Sequence, residues 1–347
     1  MSDLILPITR YSGSKRKLII KIWDELAKSK ISFSSVLDMF GGSGSFAYMA
    51  KVHNKTVTYN DIFKFNYYIG KALIENNTLQ LTKRELDSLL QKNPEKNYLN
   101  TISENFHEIY YPEDENHLID VVVQNILDLK SENKRASAFY ILFQSCLIKR
   151  PYNLFHRKNL NLRTNFNGGG FGNKTTWERP FEELFDKFYT ELKTITFSNG
   201  LKNKSVNFSA LDCNEAADLV YIDPPYFHKD SHVTYHSKYH FLEGLANYHD
   251  IVSNINHQTK NKEITINKKS EFESKLHFLS DLEALFLKHK NSKIVISYRN
   301  NGIPSIPEIC DLLSKYKKSV ESINLGKYNY ALNRNNDENY EYLIIGK

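Results

Sequence analysis

The apolar positions of the chain change period along its length. Over residues 18–27 they recur at helical spacing, behind a basic turn at residues 10–17. Ser35-Val36-Leu37-Asp38-Met39-Phe40 then forms a short apolar run of the kind that makes a buried strand. Gly41-Gly42-Ser43-Gly44 reads as a tight turn and residues 45–52 as a helix, so this stretch predicts strand, glycine turn, helix. A second strand at 56–59 ends in Asn60-Asp61. From Phe63 onward the pattern is mostly helical, with clear segments at 79–91 and 117–129.

Alternation returns with a strand at 205–208 and the run Leu219-Val220-Tyr221-Ile222, which leads into Asp223-Pro224-Pro225-Tyr226. A helix over 273–289, a strand at 294–298, a helix at 307–315 and closing strands near 320–325 and 340–345 follow; residues 256–269 are polar and read as a surface loop. The pattern predicts an α/β fold with a largely parallel, Rossmann-like sheet covered on both faces. Residues 1–63 and 196–347 would form this core, and 64–195 a mostly helical insertion that carries substrate specificity.

Composition narrows the class. Hydrophobic residues at 41% and charged residues at 25% suit a folded globular protein. No apolar run reaches membrane-spanning length, and the first residues lack the basic-then-apolar pattern of a secretory signal, so a cytoplasmic protein with no membrane partner is expected. Cys146, Cys213 and Cys310 are too far apart for a disulfide framework or a Cys-x-x-Cys metal site. No histidine and cysteine cluster has ligand spacing, so no metal is expected, and His228, His232, His236 and His240 read as surface or DNA-facing residues.

The net charge of +6 says less than its distribution. Between Glu132 and Glu178 lie 45 residues without an acid, where the chain average would place about five. Lys134, Arg135, Lys149, Arg150, Arg157, Lys158, Arg163 and Lys174 fall in that stretch, a candidate phosphate-facing surface.

The glycine turn lets backbone approach a ligand closely. Asp61, about 20 residues further on at the end of the second strand, sits where an acid accepts ribose hydroxyls of an adenosine-containing ligand. The loop lacks both G-x-G-x-x-G and a terminal Gly-Lys-Ser/Thr, which argues against a dinucleotide and removes a P-loop ATPase.

Asp223-Pro224-Pro225-Tyr226 is the most specific signal. Two adjacent prolines fix two φ angles and remove two N–H donors, leaving carbonyls with set directions. An adenine N6 is a poor nucleophile because its lone pair is delocalised into the ring. If the Asp223 carboxylate and the Pro224 carbonyl each accept one N6–H, the nitrogen is oriented and its developing positive charge stabilised. Tyr226 then offers a face on which a base extruded from the duplex stacks.

These motifs resemble the Dam-type family of DNA adenine N6-methyltransferases, in which the cofactor loop precedes the recognition insertion and Asp-Pro-Pro-Tyr follows it. The resemblance implies a Rossmann-like methyltransferase sheet, S-adenosylmethionine as cofactor and duplex DNA as substrate. Tyr11, Ser12, Gly13 and Lys15 match the family's opening segment, which touches the methionine part of the cofactor, with Tyr11 where tryptophan is common. Asp38, Phe40, Gly41, Gly42 and Gly44 are similar to its cofactor loop, and Asp61 to its ribose-binding acid.

Asp212 resembles the Asp of an Asp-Phe pair at the cofactor's adenine, with Cys213 in place of the aromatic. Asn165 and Lys174 lie in segments similar to the recognition insertion, as do Ala138-Phe139-Tyr140, and they join Lys149, Arg150, Arg157, Lys158 and Arg163 as expected DNA contacts. Residues 239–244 and 297–302 match more loosely. A cognate restriction endonuclease is a possible partner of such an enzyme. The same amine chemistry also suits an RNA adenine or a protein glutamine, and a noncatalytic DNA-binding module is the remaining alternative.

Overall fold

The structure is a computed structural model that describes residues 5–165, 174–225, 233–266, 271–328 and 339–347. Apolar runs too short for helices become β1 (Ser35–Asp38), β2 (Thr56–Asn60), β3 (Lys204–Val206), β4 (Leu219–Ile222), β5 (Lys293–Arg299), β6 (Val320–Lys327) and β7 (Tyr340–Gly346). Among the described residues they form one seven-stranded sheet in the order β3-β2-β1-β4-β5-β7-β6. Strands β1 to β5 run parallel, while β7 lies antiparallel between β5 and β6.

Helices α1 (Ile19–Lys28) and α2 (Ser45–Val52) flank β1 in sequence. Between β2 and β3 the chain is helical: α3 (Lys64–Gly70), α4 (Lys83–Leu89), α5 (Thr101–Asn105), α6 (Glu113–Leu127), α7 (Glu132–Ile148), α8 (Asn161–Thr164), α9 (Lys174–Glu178) and α10 (Phe181–Ile195). Then come α11 (Tyr235–Ala246), α12 (Phe278–Lys288) and α13 (Ile306–Ser314). The helix expected from 79 starts at Lys83 because Thr82 and Glu85 form a reciprocal capping box.

Successive strand residues face opposite layers. Val36, Val57, Tyr59, Leu219, Tyr221 and Val295 join a core with α1, α2, α3, α7, α10 and α11. Leu37, Val220, Ile222, Ile294 and Ile296 join a second core with α12 and α13. Every residue of α7 from Ala136 to Leu147 is buried, as expected for a helix apolar on all sides, and it packs against α3 and α10. Helices drawn from residues 64–195 therefore continue the sheet's own core.

Two readings need correction. Helix α11 was not evident in the chain's periodicity, because most of its length is buried on every face. Residues 256–266 are not simply a polar surface loop: Ile255 and Ile264 form an antiparallel bridge, and Ile264 is buried against the backbone of α11, where a Cβ on Gly244 would meet its Cδ1 at 2.4 Å. No helix among the described residues is long and apolar enough to cross a membrane.

Candidate active site

Parallel strands leave a crevice at their carboxyl ends where the strand order reverses. Here that point lies between β1, β2 and β4, and each strand delivers an acid to it: Asp38, Asp61 just after Asn60, and Asp223. All three line one cavity of about 800 Å³, counted to its open mouth, together with Tyr11, Ser12, Lys15, Phe40, Gly41, Gly42 and Pro225. The glycine turn and the Asp-Pro-Pro segment, 182 residues apart in sequence if counted from Gly41 to Asp223, thus share one pocket.

Packing accounts for the glycines. Tyr59, wholly buried on β2, lies between two of them: a Cβ on Gly41 would come within 2.1 Å of its ring and one on Gly70 within 2.3 Å. Its hydroxyl donates to the Gly42 carbonyl at 2.8 Å, which fixes the turn from beneath. Gly42 and Gly44 have φ of +48° and +74°, a region that side chains disfavour.

Asp61 accepts from Gly42 N–H and Phe63 N–H, each at 2.9 Å. Burial pushes its carboxyl up to about 6 against the pull of those two donors. Burial also holds Asp38 well above the usual carboxylate range, with Asp223 adding to the effect. Asp38 Oδ2 accepts from Ala47 N–H at 3.2 Å, whereas its buried Oδ1 has no hydrogen-bond partner among the described residues.

Lys15 is buried and bonds Asp223 Oδ1 at 2.8 Å. Desolvation pulls the ammonium's pKa down, but Asp223 and Glu341 more than offset it, leaving it raised. Tyr11 stacks on Tyr239 and Tyr235 of α11 at centroid separations of 4.7 and 5.7 Å, and Ser12 N–H donates to the Tyr239 hydroxyl at 2.5 Å. Glu243 of the same helix accepts from Lys64 N–H and Phe65 N–H at 3.1 Å, capping α3, which has no side-chain cap of its own. Helix α11 thereby supports both the opening segment and the cavity wall.

Several expected residues lie elsewhere. Asp212 is exposed and bonds Ser209 in a local turn, and it does not line the cavity; Cys213 is buried in the core. An aromatic close to Asp212 in sequence that does line the cavity is Phe208, whose backbone is held by both ends of the Asn60 side-chain amide at 3.1 and 3.2 Å. Tyr235 and Glu273 also line the cavity and were not singled out from the sequence. The i, i+4 spacing of Tyr235 and Tyr239 was the available signal.

The basic segment divides. Lys149 is 1% exposed, pairs with Glu115 at 2.8 Å and donates to the Arg179 carbonyl at 2.5 Å. Arg150, also 1% exposed, donates to the carbonyls of Tyr110 at 3.0 Å and Arg157 at 3.1 Å and to the Asn159 side chain. Arg163 pairs through both terminal nitrogens with Glu115. These three are therefore structural cations rather than free phosphate contacts, because a buried charge must be bonded internally. Arg157, Lys158, Asn165 and Lys174 are exposed.

His240 is likewise not a surface residue. It is wholly buried, its Nδ1 accepts from Ile264 N–H at 3.0 Å, its Nε2 meets the Tyr110 hydroxyl at 2.8 Å, and burial drives its pKa down to about 3. His236 points to Glu263 at 3.3 Å. Tyr226, His228, His232 and residues 166–173 lie outside the described residues. Among the described residues no group of three or more His, Cys, Asp or Glu side chains is placed to hold a metal ion.

The sequence is similar to those of known proteins. The chain is similar to Type II methyltransferase M2.HphI of Haemophilus parahaemolyticus, 29% identical over 65% of this chain and 68% of that protein. It is 28% identical to Modification methylase StsI of Streptococcus sanguinis over 96% of this chain, which spans 51% of that longer protein. It is 24% identical to Type II methyltransferase M.NlaIII of Neisseria lactamica over 96% and 98% of the two chains. Residues 11–303 match the family described as D12 class N6 adenine-specific DNA methyltransferase, which takes in both the glycine turn and Asp-Pro-Pro-Tyr, and the chain belongs to that family.

Proposed function

We propose that the enzyme transfers a methyl group from S-adenosylmethionine to N6 of an adenine turned out of duplex DNA. The observation that carries this reading is the joining of Asp223 and Pro225 to the glycine turn, Asp38 and Asp61 in a single cavity. The lining suits a cationic donor. Asp38, Asp61, Asp223 and Glu273 all border it, while Lys15, the lining ammonium among the described residues, is already bonded to Asp223.

The unpartnered Asp38 Oδ1 offers an acceptor to the α-ammonium of the methionine part. A dinucleotide pyrophosphate would meet charge of the wrong sign. Asp61 is placed to accept ribose hydroxyls, and Phe208 supplies an aromatic face for the adenine ring of the cofactor. S-adenosylmethionine, when bound, supplies a methyl group activated by its sulfonium.

The chain's own residues do the rest. Asp223 and the Pro224 carbonyl accept the two N6–H bonds of the substrate base, orienting the nitrogen and opposing the charge it develops. Tyr226 and Tyr235 provide aromatic surface for the everted ring. Residues 64–195 hold the target-recognition elements, with Arg157, Lys158, Asn165 and Lys174 toward the DNA backbone. A restriction endonuclease of matching specificity is the natural partner, and the cytoplasm the place of action.

The test is methyl transfer from radiolabelled S-adenosylmethionine to duplex DNA, total RNA and bulk protein, followed by nucleoside analysis. N6-methyladenine in DNA is the expected product. Labelling of RNA or protein with silent DNA would overturn the substrate assignment, and no cofactor binding at all would favour a binding-only module.

A further inference from the structure

One buried carboxylate beside the reacting end of the cavity has no part in the motifs. Glu341, near the start of β7, is 0% exposed, and its Oε1 lies 3.6 Å from the Lys15 ammonium that bonds Asp223. It is brought there by topology. Because β7 is inserted antiparallel beside β5, Glu341 sits directly opposite Arg299 in the strand register. The turn carrying Lys15 is held in place by Tyr328, whose hydroxyl donates to the Ser14 carbonyl at 2.9 Å.

Asp223 alone could neutralise Lys15, so a second buried carboxylate needs a reason, since desolvating it is costly. With Glu341 ionised, the Lys15 ammonium lies between two carboxylates, Asp223 at 2.8 Å and Glu341 at 3.6 Å. We propose that Glu341 is a positioning residue that divides the Lys15 ammonium between itself and Asp223, so that the Asp223 carboxylate remains a strong acceptor for the substrate amine. This rests on the reading that Asp223 receives that amine.

Tyr221, Tyr235 and Tyr328 feel both carboxylates, and burial raises all three phenols, so they stay neutral in the working range. Asp38 responds to burial, Asp223 and Asp61 rather than to Glu341.

The test is Glu341→Gln in the full chain, assayed by steady-state methylation of duplex DNA across pH and by DNA binding. The expected result is a kcat lower by roughly ten- to a hundredfold with DNA affinity unchanged. The acid limb of the kcat profile should move to lower pH, because the Lys15 ammonium then acts undivided at the reacting end of the cavity. Glu341→Asp, which keeps the charge but withdraws it from Lys15, should fall between wild type and Glu341→Gln on both readouts.

A wild-type kcat and acid limb in Glu341→Gln overturn the proposal. So does a loss of activity in both variants that follows lost thermal stability while the limb stays still. If the amide variant does not fold, Glu341→Asp decides alone: a displaced limb supports the proposal and an unmoved one ends it. Failure of the wild-type enzyme to methylate adenine would instead defeat the underlying functional reading, so the two failures are distinguishable.

Discussion

The cavity and the segment from 149 to 163 each gather charge mainly of one sign, and folding treats them in opposite ways. The acids come from three separate strand ends and meet in one pocket, where Asp38 keeps an unpartnered oxygen. The bases fall within one 15-residue segment, 149–163, yet Lys149, Arg150 and Arg163 turn inward and bond Glu115, Asn159 and backbone carbonyls. Charge counted along a chain is therefore a poor map of charge offered to a partner. Position at a strand's carboxyl end is a better one.

That contrast can be broken or sharpened by substitution. The largest effect is expected for Asp223→Ala, which should lower methyl transfer by about a thousandfold or more while leaving DNA binding intact. Tritiated-methyl incorporation beside filter binding measures both, and near-normal transfer would remove the carboxylate from its role.

Arg150→Ala and the pair Arg157→Ala/Lys158→Ala should separate structural from DNA-facing cations. Arg150→Ala leaves several buried carbonyls without donors and should cost about 2–4 kcal/mol of stability, read from denaturant melts, with little change in the salt dependence of binding. The double variant should melt normally and reduce the slope of log K against log salt by about 2. The reverse pattern would mean that the two sets had been exchanged.

At the cofactor end, Phe208→Ala should weaken S-adenosylmethionine binding by about 1–2 kcal/mol through loss of its stacking face, whereas Asp212→Ala should leave calorimetric affinity within about twofold of wild type. Equal losses from both would return Asp212 to the site.

The smallest effect concerns pH. Asp61 has a carboxyl pKa near 6 in the fold, above its usual value of 3.8, so its protonated form contributes stability below pH 3.8 that is lost as pH rises through 6. Binding that needs the ionised form should run the other way. Cofactor affinity should rise by up to about tenfold per unit as pH climbs to 6 and then level off, and Asp61→Asn should flatten that limb. A wild-type affinity independent of pH between 5 and 7 would contradict it.

The parts of the site legible in the sequence were those whose chemistry sits on a continuous segment. β1, its glycine turn and α2 are read directly because an apolar run, three glycines and a helical run follow one another without a tertiary partner deciding the outcome. Asp223 and the prolines are legible for the same reason. Asp212 misled because it resembles the Asp of an Asp-Phe pair, while a nearby residue that lines the cavity, Phe208, is placed by the Asn60 side chain from another strand. Glu341 depends on packing between distant segments, which no local period encodes, and the i, i+4 spacing of Tyr235 and Tyr239 marks a shared helix face without saying which cavity it meets. The fate of Lys149 and Arg163 was hidden likewise, since Glu115, their shared partner, lies on α6.

Tyr59 carries a consequence for variation of the protein. A methyl group at position 41 or 70 has nowhere to go unless the phenol ring between them shrinks. Three residues that are separate in the chain are thus one steric unit: a larger residue at 41 or 70 is viable only in company with a compensating change at 59, and at 70 also with room made by Ser205. Loss of that ring would in turn release the Gly42 carbonyl it tethers, so the freedom to alter this strand is bounded by the shape of a loop it does not belong to.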